Sequence, residues 1–160
     1  MKTSTRRLFH LCVFVLAALL GSLLVFHVWI TAKAWDASPA SRPAIVAVLR
    51  AQAWSKLSGG YWDSEMYNQQ QFVAGLPLQD RLEYYRALIL QCDLGTSRGL
   101  VFINTVGNDA EALYKNLIDF RATAKYNHLS VEQKKAIDTW TNEMDVTAQQ
   151  RKANPSIKPE

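Results

Sequence analysis

The stretch that decides the architecture is Leu8–Ile30, LFHLCVFVLAALLGSLLVFHVWI: 23 consecutive residues without Asp, Glu, Lys or Arg, whose clearly polar members are His10, Ser22 and His27. At 1.5 Å rise per residue such a run makes a helix of roughly 34 Å, enough to cross a hydrocarbon core of about 30 Å. A secretory signal has an apolar region of only about 7 to 15 residues, so the length predicts a retained anchor. Ala32-Lys33-Ala34 fits a loose A-x-A cleavage pattern, and removal after Ala34 is the competing expectation.

Charge sets the expected orientation. Lys2, Arg6 and Arg7 precede the run with no acid beside them. The positive-inside bias therefore predicts a cytoplasmic N-terminus and an extracytoplasmic C-terminal domain, periplasmic in the inner membrane of a Gram-negative bacterium. Trp29 and Trp35 fall where the far interface is expected, with rings toward apolar material and indole N–H groups toward polar partners. The expected divisions are a cytoplasmic tip at 1–7, a single-pass membrane helix at 8–30, a linker at 31–42, a helical domain at 43–151 and a flexible tail at 152–160.

Within the span, Ala17 with Gly21 and Ala18 with Ser22 form two small-xxx-small pairs, each on one helical face. They are the candidate membrane-helix contacts, suited to another membrane protein or to a second copy of the chain. His10 and His27 would lie about 25 Å apart on a continuous helix and cannot share one metal.

Composition narrows the rest. Removing Lys2, Arg6 and Arg7 from the 18 basic residues leaves 15 against 14 acidic ones, so the part after Ile30 is nearly neutral. No concentrated positive field is expected there, which argues against nucleic acid as a partner. Cys12 lies in the span and Cys92 beyond it, so no intramolecular disulfide or thiolate cluster is expected.

After the linker, with Pro39 and Pro43, the pattern predicts an all-α bundle of four to six short helices. The first runs from Pro43 to Ser58 with Ile45, Val46, Leu49, Ala53 and Leu57 inward, stopped by Gly59-Gly60. A second, capped by Asp63 or Ser64, buries Met66 and Val73. A third opens at Pro77 with the stripe Leu78, Leu82, Tyr85, Ile89 and Cys92. GLVFINTVG, residues 99–107, has strand-like composition but no second strand to pair with, so a short buried helix after Thr96-Ser97 is expected. Asn108 and Glu111 read as a capping signature before Leu113, Leu117, Phe120 and Ala124, with Glu111 and Lys115 spaced for an ion pair. Ser130 and Gln133 read as a capping box before Ile137, Trp140, Met144 and Ala148.

Chemical motifs are sparse. GTSRGL, residues 95–100, lacks both the lysine of a phosphate-binding loop and the dinucleotide fingerprint. His128 has no cysteine or acid at metal or nucleophile spacing, and is expected in a turn. No cofactor or metal is expected. Trp54 on the first of these helices, placed to extend the buried surface or to face a partner, and Trp62, Tyr67 and Phe72 in an amide-rich stretch are the candidate external contacts, because rings bury area and amides form directional bonds. The sequence thus points to a non-enzymatic membrane-anchored interaction protein, an accessory subunit of an envelope complex, or more narrowly an envelope immunity or inhibitor protein. A membrane-tethered hydrolase of an envelope polymer, using Glu65 or Glu83 with a second carboxylate, is the reading of a different class.

Overall fold

The computed structural model describes residues 2–153, apart from the side chains of residues 2–7, 96 and 97. The chain divides into two compact units, 1–33 and 34–160.

The first unit is one helix, α1 (Lys2–Lys33). Its segment Leu8–Lys33 has a mean hydropathy of 2.6 and is long and apolar enough to cross a membrane. Its Leu and Val side chains from Leu8 to Val28 are exposed, as are Phe9 and Phe14, whereas Phe26 is half-buried and Ile30 buried. A helix that is apolar on every face has no polar side to turn to water, so its sequence specifies an apolar surrounding. Helix continues past Ile30 through Lys33, which shortens the expected linker.

The second unit is all helical among the described residues: α2 (Arg42–Ser58), α3 (Asp63–Ala74), α4 (Leu78–Gln91), α5 (Thr96–Val106), α6 (Ala110–Arg121), the four-residue α7 (Ala124–Asn127) and α8 (Val131–Ala153), with a 3-10 turn at Gly107–Asp109. Residues 99–106, valine- and phenylalanine-containing, are helical as expected: no strand exists among the described residues to satisfy them otherwise.

Each of the longer helices, α2 to α6 and α8, carries an apolar face inward. Ile137, Trp140, Met144 and Ala148 are buried on α8, and Leu113, Leu117 and Phe120 on α6. These two helices make the most extensive packing in the unit. Met66 and Val73 are buried on α3 as their seven-residue spacing requires. An aromatic chain crosses the core: Tyr85 meets Phe102 edge-on at 6.1 Å, and Phe102 meets Trp140 at 4.8 Å. Gly99 allows the Trp140 ring to approach, since a Cβ there would stand 3.3 Å from Cη2.

Several boundaries follow their local signals. Pro43 lies in the first turn of α2, and Gly59, at φ +71°, ends it with its N–H on the Ser55 carbonyl. Ser130 and Gln133 form the reciprocal box, with Gln133 N–H on Ser130 Oγ and Ser130 N–H on Gln133 Oε1, each 3.2 Å. Glu111 pairs with Lys115 at 3.0 Å.

Other expectations fail for identifiable reasons. Leu57 is 77% exposed, because the buried set of α2 is Ala44, Ile45, Val48, Leu49 and Gln52, which turns Leu57 to the far side. Leu78 and Ala124 are likewise exposed, each in the opening turn of its helix. Asn108 does not cap α6. The 3-10 turn puts Asp109 at that place, Asn108 Oδ1 accepts from Arg151, and Glu111 is held by Lys115 and Lys152. Neither Asp63 nor Ser64 caps α3; Trp62 occupies the N-cap position without a side-chain bond. Lys152 and Ala153 are helical, and the rest of the expected tail lies outside the described residues.

Candidate functional site

The membrane-helix candidates do not all share one place. Ala18, Gly21 and Ser22 line a shallow groove along α1 together with Val25, Phe26 and Trp29. Ala17 is outside it. The Ser22 hydroxyl donates to the Ala18 carbonyl at 2.9 Å, so this polar atom is satisfied within its own helix and the groove wall is effectively apolar. Toward the far end, Phe26 and Trp29 stack obliquely at 6.4 Å, and Lys33 Nζ stands 4.2 Å from the Trp29 ring centroid. Small residues at one end and broad rings at the other give this face relief, which suits helix packing.

In the second unit Trp54, Tyr67 and Phe72 are exposed, whereas Trp62 is only 2% exposed. The Trp62 ring lies under Arg98, with the guanidinium 5.3 Å from its centroid, and is a core residue instead of a free contact. Tyr67 and Phe72, five residues apart, are turned about 140° from each other on α3 and flank its buried face on opposite sides. Trp54 shares the outer side of α2 with Leu57, and Tyr61 follows after the glycine pair, also exposed. Leu57 was not distinguishable from a core residue by type; only the angular position of the buried set on α2 reveals it.

A polar cavity of about 260 Å³ is lined by residues of α3, α4, α5 and the 3-10 turn, among them Gln70, Arg81, Tyr85, Asn104 and Asp109. Arg81 holds Asp109 with two bonds, Nε to Oδ2 at 2.6 Å and Nη2 to Oδ1 at 2.8 Å, while Nη1 donates to the Leu76 carbonyl at 2.7 Å. Tyr85 adds its hydroxyl to Asp109 Oδ2 at 3.2 Å. The Asp109 hydrogen bond, against a smaller opposing effect of burial, raises the Arg81 pKa; burial first and the Asp109 charge second push the Tyr85 phenol well above its usual value. Charge is therefore spent inside this network, which ties α4 to the turn leading into α6. Sequence spacing gave no indication of it, since Arg81 and Asp109 are 28 positions apart.

The acids considered for hydrolysis are engaged locally. Glu65 accepts from Asn68 at 3.1 Å and Gln69 at 2.7 Å, and Glu83 accepts the backbone N–H of Ser38 at 2.7 Å. His128 caps the C-terminus of α7 in a turn. No group of three or more His, Cys, Asp or Glu side chains arranged to hold a metal exists among the described residues.

Where the chain enters the second unit, Arg42 organises the preceding turn. Its Nη2 donates to the carbonyls of Trp35 and Ala37, both at 3.0 Å, and its guanidinium lies 4.8 Å from the Trp35 ring centroid. Lys125 Nζ stands 3.8 Å from Asp36 Oδ2 beside it. Comparison with family models, with curated proteins and with solved structures gives no match, so function is argued from these residues alone.

Proposed function

We propose that this chain is a non-enzymatic, single-pass membrane protein that holds a small helical domain on the extracytoplasmic side and binds another membrane or envelope protein there, as an accessory subunit. The observation that carries this reading is α1: a segment apolar on all faces and exposed along most of its length, attached to a unit with its own packed core. In water that segment would present a continuous apolar surface far larger than an isolated domain tolerates, and a bilayer removes it. Lys2, Arg6 and Arg7 support the inward placement of the N-terminus.

The relief of the Ala18–Gly21–Ser22 face supports a helix partner within the membrane. The outward Trp54 and Leu57 support a contact by the domain. Local engagement of Glu65 and Glu83 favours this reading over a tethered hydrolase.

The test is alkaline extraction of membranes carrying the full chain, then detergent solubilisation, affinity purification and quantification of bound chains. The reading requires retention in the membrane and a reproducible stoichiometric partner whose recovery falls for Gly21→Leu or Trp54→Ala. Release by alkali, or a lone chain that turns over an envelope polymer, overturns it.

A further inference from the structure

We propose that Trp35, clamped by Arg42, is a built seat for the phospholipid headgroup layer, fixing the depth at which the chain leaves the bilayer. The inference rests on the membrane-anchor reading and goes beyond it by assigning a ligand, the headgroup and glycerol region of phospholipids, to a particular turn.

Trp35 is 66% exposed, yet it is held. Arg42 grips the turn from two directions, through the Trp35 and Ala37 carbonyls and through the face of the Trp35 ring. Arg42 Nε is buried with no hydrogen-bond partner. A guanidinium spent on backbone carbonyls and one ring orders that ring without burying it, which the core does not require. An ordered, exposed indole lowers the entropic cost of whatever covers it.

Chain distance identifies what covers it. Leu8–Lys33 comprises 26 residues, about 39 Å of helix against a hydrocarbon core of about 30 Å. Trp35 follows two residues later and thus falls in the interfacial layer, where an indole keeps its ring beside acyl chains and its N–H on glycerol or phosphate oxygens. Charges of both signs surround the turn: Lys125 stands against Asp36, and the Glu83 carboxylate accepts the Ser38 N–H. A zwitterionic headgroup carries both signs as well and is the ligand this turn fits.

The full chain, labelled with 5-fluorotryptophan and reconstituted in phosphatidylcholine vesicles, tests this with a headgroup nitroxide lipid. Trp29→Phe, Trp35→Phe and Trp54→Phe assign the exposed resonances, and those of Trp62 and Trp140 report that the core is intact in every variant. Trp35 is expected to broaden well beyond Trp54, equally in phosphatidylcholine and in mixtures with phosphatidylglycerol. Arg42→Ala, which removes the ring contact together with both carbonyl hydrogen bonds, is expected to weaken that excess about two- to fivefold, and Arg42→Lys to weaken it less. Broadening of Trp29 without Trp35 overturns the seat and leaves the anchor standing. Absence of broadening at both residues overturns the anchor reading, and the seat with it.

Discussion

Removing the Asp109 carboxylate tests whether the Arg81–Asp109–Tyr85 network holds the second unit together. Arg81 and Asp109 side chains are 22% and 17% exposed, so the pair lies between an exposed bridge, worth up to about 1 kcal/mol, and a fully buried one whose rupture costs about 3 to 5 kcal/mol. Asp109→Ala leaves a guanidinium with one remaining protein bond, to Leu76, and a phenol without its acid; about 2 to 3 kcal/mol is expected. Asp109→Asn keeps shape and an acceptor oxygen but no charge, and about 1 to 2 kcal/mol is expected. Urea unfolding of the detergent-solubilised full chain, followed by near-ultraviolet circular dichroism, measures both. The decisive quantity is the coupling in a cycle with Arg81→Met. A coupling below about 0.5 kcal/mol would mean that the bidentate geometry contributes nothing beyond an ordinary surface pair, and would refute the reasoning.

Further outcomes follow from separate features. Gly107 has φ +53° and ψ −127°, which side-chain-bearing residues rarely adopt, so Gly107→Ala should destabilise by about 1 to 3 kcal/mol in the same assay, although its Cβ would meet no atom within 4 Å. Ser130→Ala removes the reciprocal cap of α8 and should cost about 1 kcal/mol, with little change for the exposed Ser64→Ala. Leu20→Arg, near the middle of the apolar segment, should disfavour insertion by about 2.5 to 3.5 kcal/mol, read as the fraction of chain resisting alkaline extraction. At high pH, Tyr84 and Tyr85 should stay protonated beyond the ordinary phenol range, because burial is the main cause holding both above the usual 10.0. The unfolded chain then loses protons before the native one. Stability is fully present below about pH 10 and falls above it, so ultraviolet phenolate absorbance should show these two appearing only with cooperative unfolding. Ionisation of Tyr84 and Tyr85 around pH 10 in the folded chain contradicts this.

How much of this was legible from the residues depends on the range of the forces involved. Elements set by short-range rules were readable: the Ser130 box, the Gly59 stop, the Ile137–Ala148 stripe and the helical state of residues 99–106. Each depends on neighbours within a few positions, or on the absence of a pairing strand. Legibility failed where a longer-range contact competed. Asn108 and Glu111 have the right spacing for a cap, but Arg151, Lys152 and Lys115 engage them and a 3-10 turn displaces the helix start. Leu57 is the type of residue that a core takes, and only the rotation of α2 about its axis excludes it. Among the candidate contacts, residue type could not separate the buried Trp62 from the exposed Trp54, because both rings suit either environment. The Arg81–Asp109 pair and the Arg42 clamp left no local pattern at all.

The hydrogen bond from Ser38 N–H to Glu83 has a mechanical meaning. Any pull arriving along the chain from residue 33 meets the turn at residues 34–41 before it meets α2. That turn is tied to α4 by Glu83, to α7 by Lys125 and to the start of α2 by Arg42. Tension is thereby shared with α4 and α7, distant in sequence, instead of peeling α2 from its end. If a bound partner strains against its tether, the domain has its moorings where the load enters.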